Sequence, residues 1–159
     1  SFLNNDYDLV IWLRDRAELL GTRMGRVSIT AVTGEILFNY YIRNAPRHLW
    51  NGNKIAVSDN FYVSSPKDGF PPEVAWLLLN SDHYLDRLVA AARNQGSGLK
   101  KLQLYEYKQT VVPDWRLVDR IRLTNLRKIA LDLIVGNPDV DTARKTATQA
   151  AKEFLHVQA

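Results

Sequence analysis

Two groups of side chains in this sequence have types that could do chemistry on a polyanion. Arg43, Arg47, His48, Lys54 and Lys67 are interleaved with Tyr40, Tyr41, Trp50, Phe61 and Tyr62, and Arg93, Gln95, Lys100, Lys101, Tyr105 and Lys108 gather in the stretch RNQGSGLKKLQLYEYKQTVVP. Ammonium and guanidinium groups neutralise phosphates, and arginine or glutamine can also hydrogen-bond to base edges. On that reading Arg43, Arg47, Arg93 and Gln95 are base-edge candidates, and Lys54, Lys67, Lys100, Lys101 and Lys108 are phosphate candidates. The bland reading makes the aromatics half-buried strand residues and the cations a solubilising surface. A net charge of +4 and a pI near 9.4 lean toward a polyanionic partner, though modestly.

Other chemistries find less support. His48, His83 and His156 are widely separated, with no spacing that puts two on one helix face, so neither a metal site nor a catalytic triad is indicated. The sequence has no G-x-S-x-G, Walker lysine or G-x-G-x-x-G motif, and Gly96-Ser97-Gly98 is too short by itself to hold a phosphate. Asp119 beside Arg120 and Arg122 reads as a solvated face rather than an acid–base pair. The absence of cysteine excludes disulfides and thiolate metal sites and is compatible with a reducing compartment. No catalytic residue, metal ligand or cofactor site is assigned to this chain.

The elements that must position these side chains follow from period. The 159 residues, 46% hydrophobic and 24% charged, suit one domain with its own core and contain no apolar run long enough to cross a bilayer. The opening SFLNNDYDLV shows no signal-peptide pattern and no initiator Met, so a processed chain or an excised piece of a longer one is expected. Leu9, Leu13, Ala17 and Leu20 predict a first helix over residues 5–20, stopped by Gly21. Between Arg26 and Val63 the segments VSITAV, EILFNYYI, KIAV and NFYVSS predict short strands, with Asn51-Gly52 the best hairpin signal. Pro71 and Pro72 start a helix whose apolar face holds Val74, Leu77, Leu78, Leu85, Leu88, Val89 and Ala92, with a possible break at Asn80-Ser81-Asp82. Residues 93–113 read as a glycine-punctuated basic loop and a tyrosine-rich turn, in which Leu99, Leu102 and Leu104 anchor to the core while Arg93, Lys100 and Lys101 face outward. Residues 114–136 read as helix, capped by Asp114 or Thr124 and stopped by Gly136, and a last helix runs from Pro138 to about Leu155. The expected fold is α+β over residues 1–159: a small twisted, mainly antiparallel sheet from the first half, with a core at about 20–115 and C-terminal helices at about 115–156.

The order of these segments resembles the C-terminal target-recognition region of N6-adenine DNA methyltransferases from bacterial and archaeal restriction-modification systems. The run YYIRNAPRHLWNGNKIAVSDNFY places Pro46-Arg47 before an alanine-containing strand. Leu78 to Ser81 then supply Leu-Leu-Asn-Ser, and Arg93, Gly96, Gly98, Leu99, Lys101 and Leu102 supply R-x-x-G-x-G-L-x-K-L. Glu106, Val112 and Pro113 complete the order. The resemblance spans roughly residues 20–115 and rests on the succession of motifs, not on any single one.

What the resemblance implies is a module that reads double-stranded DNA for an AdoMet-dependent enzyme that flips out an adenine and methylates its exocyclic amine. It also implies a cytoplasmic, prokaryotic setting. The catalytic half of such an enzyme carries a glycine-rich AdoMet motif and an N-P-P-Y loop. Asn137-Pro138-Asp139 lacks the second proline and the aromatic, so the AdoMet-binding catalytic domain is expected upstream or on another subunit, and this chain alone is not expected to methylate. Two further readings compete: a specificity-subunit recognition module of a multi-subunit restriction system, and a protein-interaction domain with no nucleic-acid role. A DNA reader should gather its cations on one face, whereas an interaction domain should spread them. A standalone hydrolase or transferase ranks last, because no nucleophile or metal set converges.

Overall fold

Ile36, Leu37 and Phe38 are each at most 1% exposed, the pattern of a strand covered on both faces. In the computed structural model, which describes residues 33–155 apart from Ala56, Pro113, Trp115 and Arg116, they form β1 (Ile36–Asn39). β1 lies between β3 (His48–Trp50) and β4 (Phe61–Ser64), antiparallel to both. One face of this sheet carries Ile36, Phe38, His48, Trp50, Tyr62 and Ser64, because directly paired residues project to the same side. Phe38 and Ile36 on that face pack with Ala75, Leu79, Tyr84, Leu85 and Leu88 of two helices, α1 (Pro72–Leu79) and α2 (Asp82–Ala91).

EILFNYYI is therefore two strands. Tyr40 interrupts it, and β2 (Tyr41–Ile42) leaves for a second antiparallel sheet of order β2-β6-β5, where β5 is Arg93–Gly96 and β6 is Leu99–Lys101. The predicted basic loop at 93–98 is in fact one arm of a hairpin. Its two-residue turn has φ of +50° at Ser97 and +73° at Gly98, the primed geometry whose twist suits a tight hairpin. The tyrosine-rich segment is a six-residue helix, α3 (Leu104–Gln109), and not a turn. Leu102 is buried in the core as expected and Leu99 is half-buried, but Leu104 opens α3 and is 46% exposed. The Asn51-Gly52 hairpin is also corrected. A turn occurs there, but Lys54, Ile55 and Val57 form no strand, and Asn51 is buried with its amide bonded to the Gly34 and Ile55 carbonyls.

The break at Asn80-Ser81 is present. The Asn80 side chain accepts from the His48 N–H at 2.8 Å and donates to the carbonyls of His48 and Trp76, while the Ser81 hydroxyl donates to the Leu78 carbonyl. Asn80 thus ties the end of α1 to β3. The long helix α4 (Arg120–Gly136) begins later than predicted, because Asp119 is its N-cap and accepts from the N–H groups of Ile121 and Arg122. Thr124 lies within the helix and donates back to the Arg120 carbonyl, and Asn137 rather than a glycine takes the left-handed position at the C-terminus. In α5 (Val140–Leu155) Ala147, Ala150, Ala151 and Phe154 are buried. Leu126 and Ala130 of α4 join Val74, Leu77 and Leu78 of α1 and three alanines of α5 in a second core cluster. The predicted helix at 5–20 and the strand VSITAV lie outside the described residues. No helix among the described residues is long and apolar enough to cross a membrane.

Candidate nucleic-acid interface

The register of the second sheet decides which cations face outward. Tyr41 pairs with Lys101 and Lys101 with Arg93, so the three form one row across β2, β6 and β5. The neighbouring row is Ile42, Lys100 and Asn94, and Ile42 is only 6% exposed, which identifies this side as the core side. Both lysines are half-buried, but Lys100 Nζ donates to the Val89 carbonyl at 3.4 Å on the core side. Two adjacent lysines thus have opposite fates.

Along the outer row, Lys101 Nζ lies 5.5 Å from the Tyr40 ring centroid and 5.3 Å from that of Tyr41, both cation–π distances. Arg93 sits 5.8 Å from the Tyr105 ring centroid, donates to the Tyr105 hydroxyl and pairs with Glu106 at 2.9 Å. The Gln103 N–H, and after it the Tyr105 hydroxyl and the Arg93 guanidinium, hold the Glu106 carboxyl below its ordinary range. The stabilisation this gives is present above about pH 4.5 and is lost as pH falls through the lowered value. Gln95 is exposed at the β-bulge that shifts the β5–β6 register between Asn94 and Gly96, where a side chain is re-aimed relative to its strand.

β2 runs directly into the loop that carries Arg43 and Arg47. Both line a groove of about 650 Å³ together with Tyr41, Asn44 and Phe61, with Asp141 also on its wall. Among the described residues neither arginine has an acidic partner. Arg43, Arg47, Lys101, Arg93 and Gln95, distant in sequence, therefore belong to one sheet and its adjoining loop. Lys108 is exposed on α3, which follows β6.

Lys54 and Lys67 are elsewhere. Asn39 leads from β1 to the second sheet, whereas Lys54 pairs with Glu35 at 2.7 Å beyond the other end of β1. That ion pair, followed by a hydrogen bond from Ser65, lowers the Glu35 pKa. Lys67 follows β4 on the same side, since Ser64 pairs with Ile36, and lines a separate groove with Phe70 and Val118.

Sequence spacing gave no sign of a polar chain inside the core. His48 Nε2 lies 3.2 Å from the Tyr107 hydroxyl, which lies 3.1 Å from Ser64 Oγ. His48 is 2% exposed and its Nδ1 makes no hydrogen bond; burial pushes its pKa down to about 3, so the ring is neutral. Burial likewise pushes the Tyr107 hydroxyl up to about 12. The His48 ring of this hydrogen-bonded series packs against the rings of Phe38, Tyr84 and Tyr107. His83 is exposed on α2 and His156 lies outside the described residues. Among the described residues no three or more His, Asp or Glu side chains are grouped as a metal would require. Set against family models, curated proteins and solved structures, the chain matches none of them.

Proposed function

We propose that this chain recognises double-stranded DNA through the outer face of the β2-β6-β5 sheet and the Arg43–Arg47 loop, and that it does so for an AdoMet-dependent adenine-N6 methyltransferase domain. The observation that supports this best is the convergence of Arg43 and Arg47 on one groove with Tyr41, whose strand pairs with the strand of Lys101. Arg43, Arg47 and Gln95 reach for base edges; Lys101, held against two tyrosine rings, and Lys108 neutralise phosphates. Arg93, engaged by Glu106 and Tyr105, sets the orientation of the platform and offers its remaining N–H groups. The methyltransferase partnership rests on the order of motifs from Pro46-Arg47 through Leu78–Ser81 to the Arg93–Leu102 hairpin.

Titration of the chain with a random-sequence DNA duplex between about 50 and 200 mM salt tests the binding itself, since each phosphate neutralised steepens the decline of affinity with salt. The expected result is salt-dependent binding, in which Lys101→Ala reduces the salt slope by about 1 and weakens all duplexes alike. Arg43→Ala and Arg47→Ala should each remove about 1–3 kcal/mol of discrimination once a preferred site is selected from the pool. Lys54→Ala, on the far side of β1, should leave binding unchanged. Absence of binding at low salt, or equal effects of Lys54 and Lys101, would defeat the assignment.

A further inference from the structure

Where β3 and α1 meet the turn between α4 and α5, the side chains leave a cavity of about 360 Å³. That size falls within the range of roughly 300–1,000 Å³ usual for small-ligand sites. Leu77 and Ala147, each at most 1% exposed, mark its inner end, and Arg47, which is exposed, marks its mouth. Between them Trp50, Trp76 and Leu133 line it and are half-buried. A mainly apolar and aromatic wall with a charged group at the rim is the form of a site that takes an apolar body by one end and a polar head by the other.

We propose that this cavity binds a small planar aromatic carboxylate, its ring on Trp50, Trp76 and Leu133 and its carboxylate on Arg47. The inner end selects the ring. Polar groups there are already engaged with one another: both amide hydrogens of Asn80 go to the carbonyls of His48 and Trp76, and the Trp76 indole N–H donates to the same His48 carbonyl at 2.8 Å. A nucleobase would bring polar edges that give up water and gain no partner, whereas an apolar ring loses nothing. The Trp50 and Trp76 rings, edge to face at 6.3 Å, offer it the stacking and edge contacts that rings prefer. The mouth selects the charge. Among the described residues no Asp or Glu lines the cavity, and its charged side chains are Arg47 and Arg144. Arg144 is held by Asp82 and Asp86, so Arg47, which has no acidic partner, is the uncompensated charge. One guanidinium meets both oxygens of a carboxylate and balances its single charge, whereas a phosphate monoester brings about −1.5 to −2. The site shares Arg47 with the groove assigned to DNA but does not depend on that assignment.

Calorimetric titration of the full chain with naphthoate, in the absence of DNA, should give a dissociation constant of about 1 mM or tighter. Naphthylmethylamine has the same rings and the opposite charge, and octanoate has the same charge and no ring; each should bind at least about tenfold more weakly. Arg47→Ala, at an exposed position, should weaken naphthoate about tenfold and abolish the preference for acid over amine. Ala143→Leu, which fills the cavity from α5 with a good helix former, should remove binding of every probe with an unchanged far-UV spectrum. Failure of naphthoate to bind, an amine or octanoate that binds as tightly, or naphthoate binding unaltered by Arg47→Ala would each overturn the proposal.

Discussion

His48 shows how one side chain sets a solution property of the protein. In the unfolded chain it takes a proton near its ordinary pKa of 6.5, whereas burial holds the folded value at about 3. Between those values the unfolded state binds more protons, so stability is full above pH 6.5 and declines as pH falls, by about 1.4 kcal/mol per unit at full slope. Glutamine in its place keeps a donor for the Tyr107 hydroxyl and does not titrate. Denaturant unfolding at pH 7 and pH 5 should therefore show the native protein losing on the order of 1–2 kcal/mol more than His48→Gln. Equal losses would mean that His48 carries its proton in the folded state. Lys100 and Lys101 teach a different lesson at this scale. Nothing in their types separates them; only the pairing of Lys101 with Tyr41 sends one to the tyrosines and the other to the core side. Because side chains alternate along a strand, a register shift of one residue would exchange their roles.

Among the elements, the long amphipathic helices were legible in the sequence because apolar periodicity is a local signal, whereas the short α3, which buries no residue, carries no such signal and reads as a turn. Val74, Leu77, Leu78, Leu85 and Leu88 are all buried where their spacing placed them, and the break at Asn80-Ser81 fell where polar residues interrupt the stripe. Strand partners were not legible, since β2 meets β6 across a long stretch of chain and no local pattern encodes that choice. KIAV has strand-like composition, yet the Asn51 side chain satisfies the Ile55 N–H and carbonyl that a strand partner would otherwise take. The glycine-punctuated segment expected as a loop is a hairpin, because glycines mark tight turns as readily as open ones. Its Gly98 has φ of +73° and open space around it, so an added side chain meets no atom but must adopt a left-handed backbone. Gly98→Val should cost about 1–2 kcal/mol in thermal or chemical unfolding. It should weaken DNA binding in proportion to the disorder it brings to Arg93 and Gln95. A variant as stable as the native chain would place the turn in another conformation.

At the scale of the whole molecule, α1 is the element both cores share: Ala75 and Leu79 face the first cluster, and Val74, Leu77 and Leu78 face the second. Sheet and C-terminal helices are therefore expected to unfold together. Leu77→Ala, at a fully buried position, should cost about 2–5 kcal/mol and move far-UV and near-UV transitions by the same amount. Separate transitions would show that the helices at 120–155 fold as an independent unit. Asn80 bears on a different risk. β3 is an outer strand of its sheet, and such a strand can recruit a stranger's backbone. The Asn80 amide accepts from one main-chain group of His48 and donates to the other, as a neighbouring strand would, and the Trp76 indole N–H takes the same carbonyl. A side chain has closed that rim at His48, which leaves newly made or crowded copies of the protein no template there on which to start an aggregate.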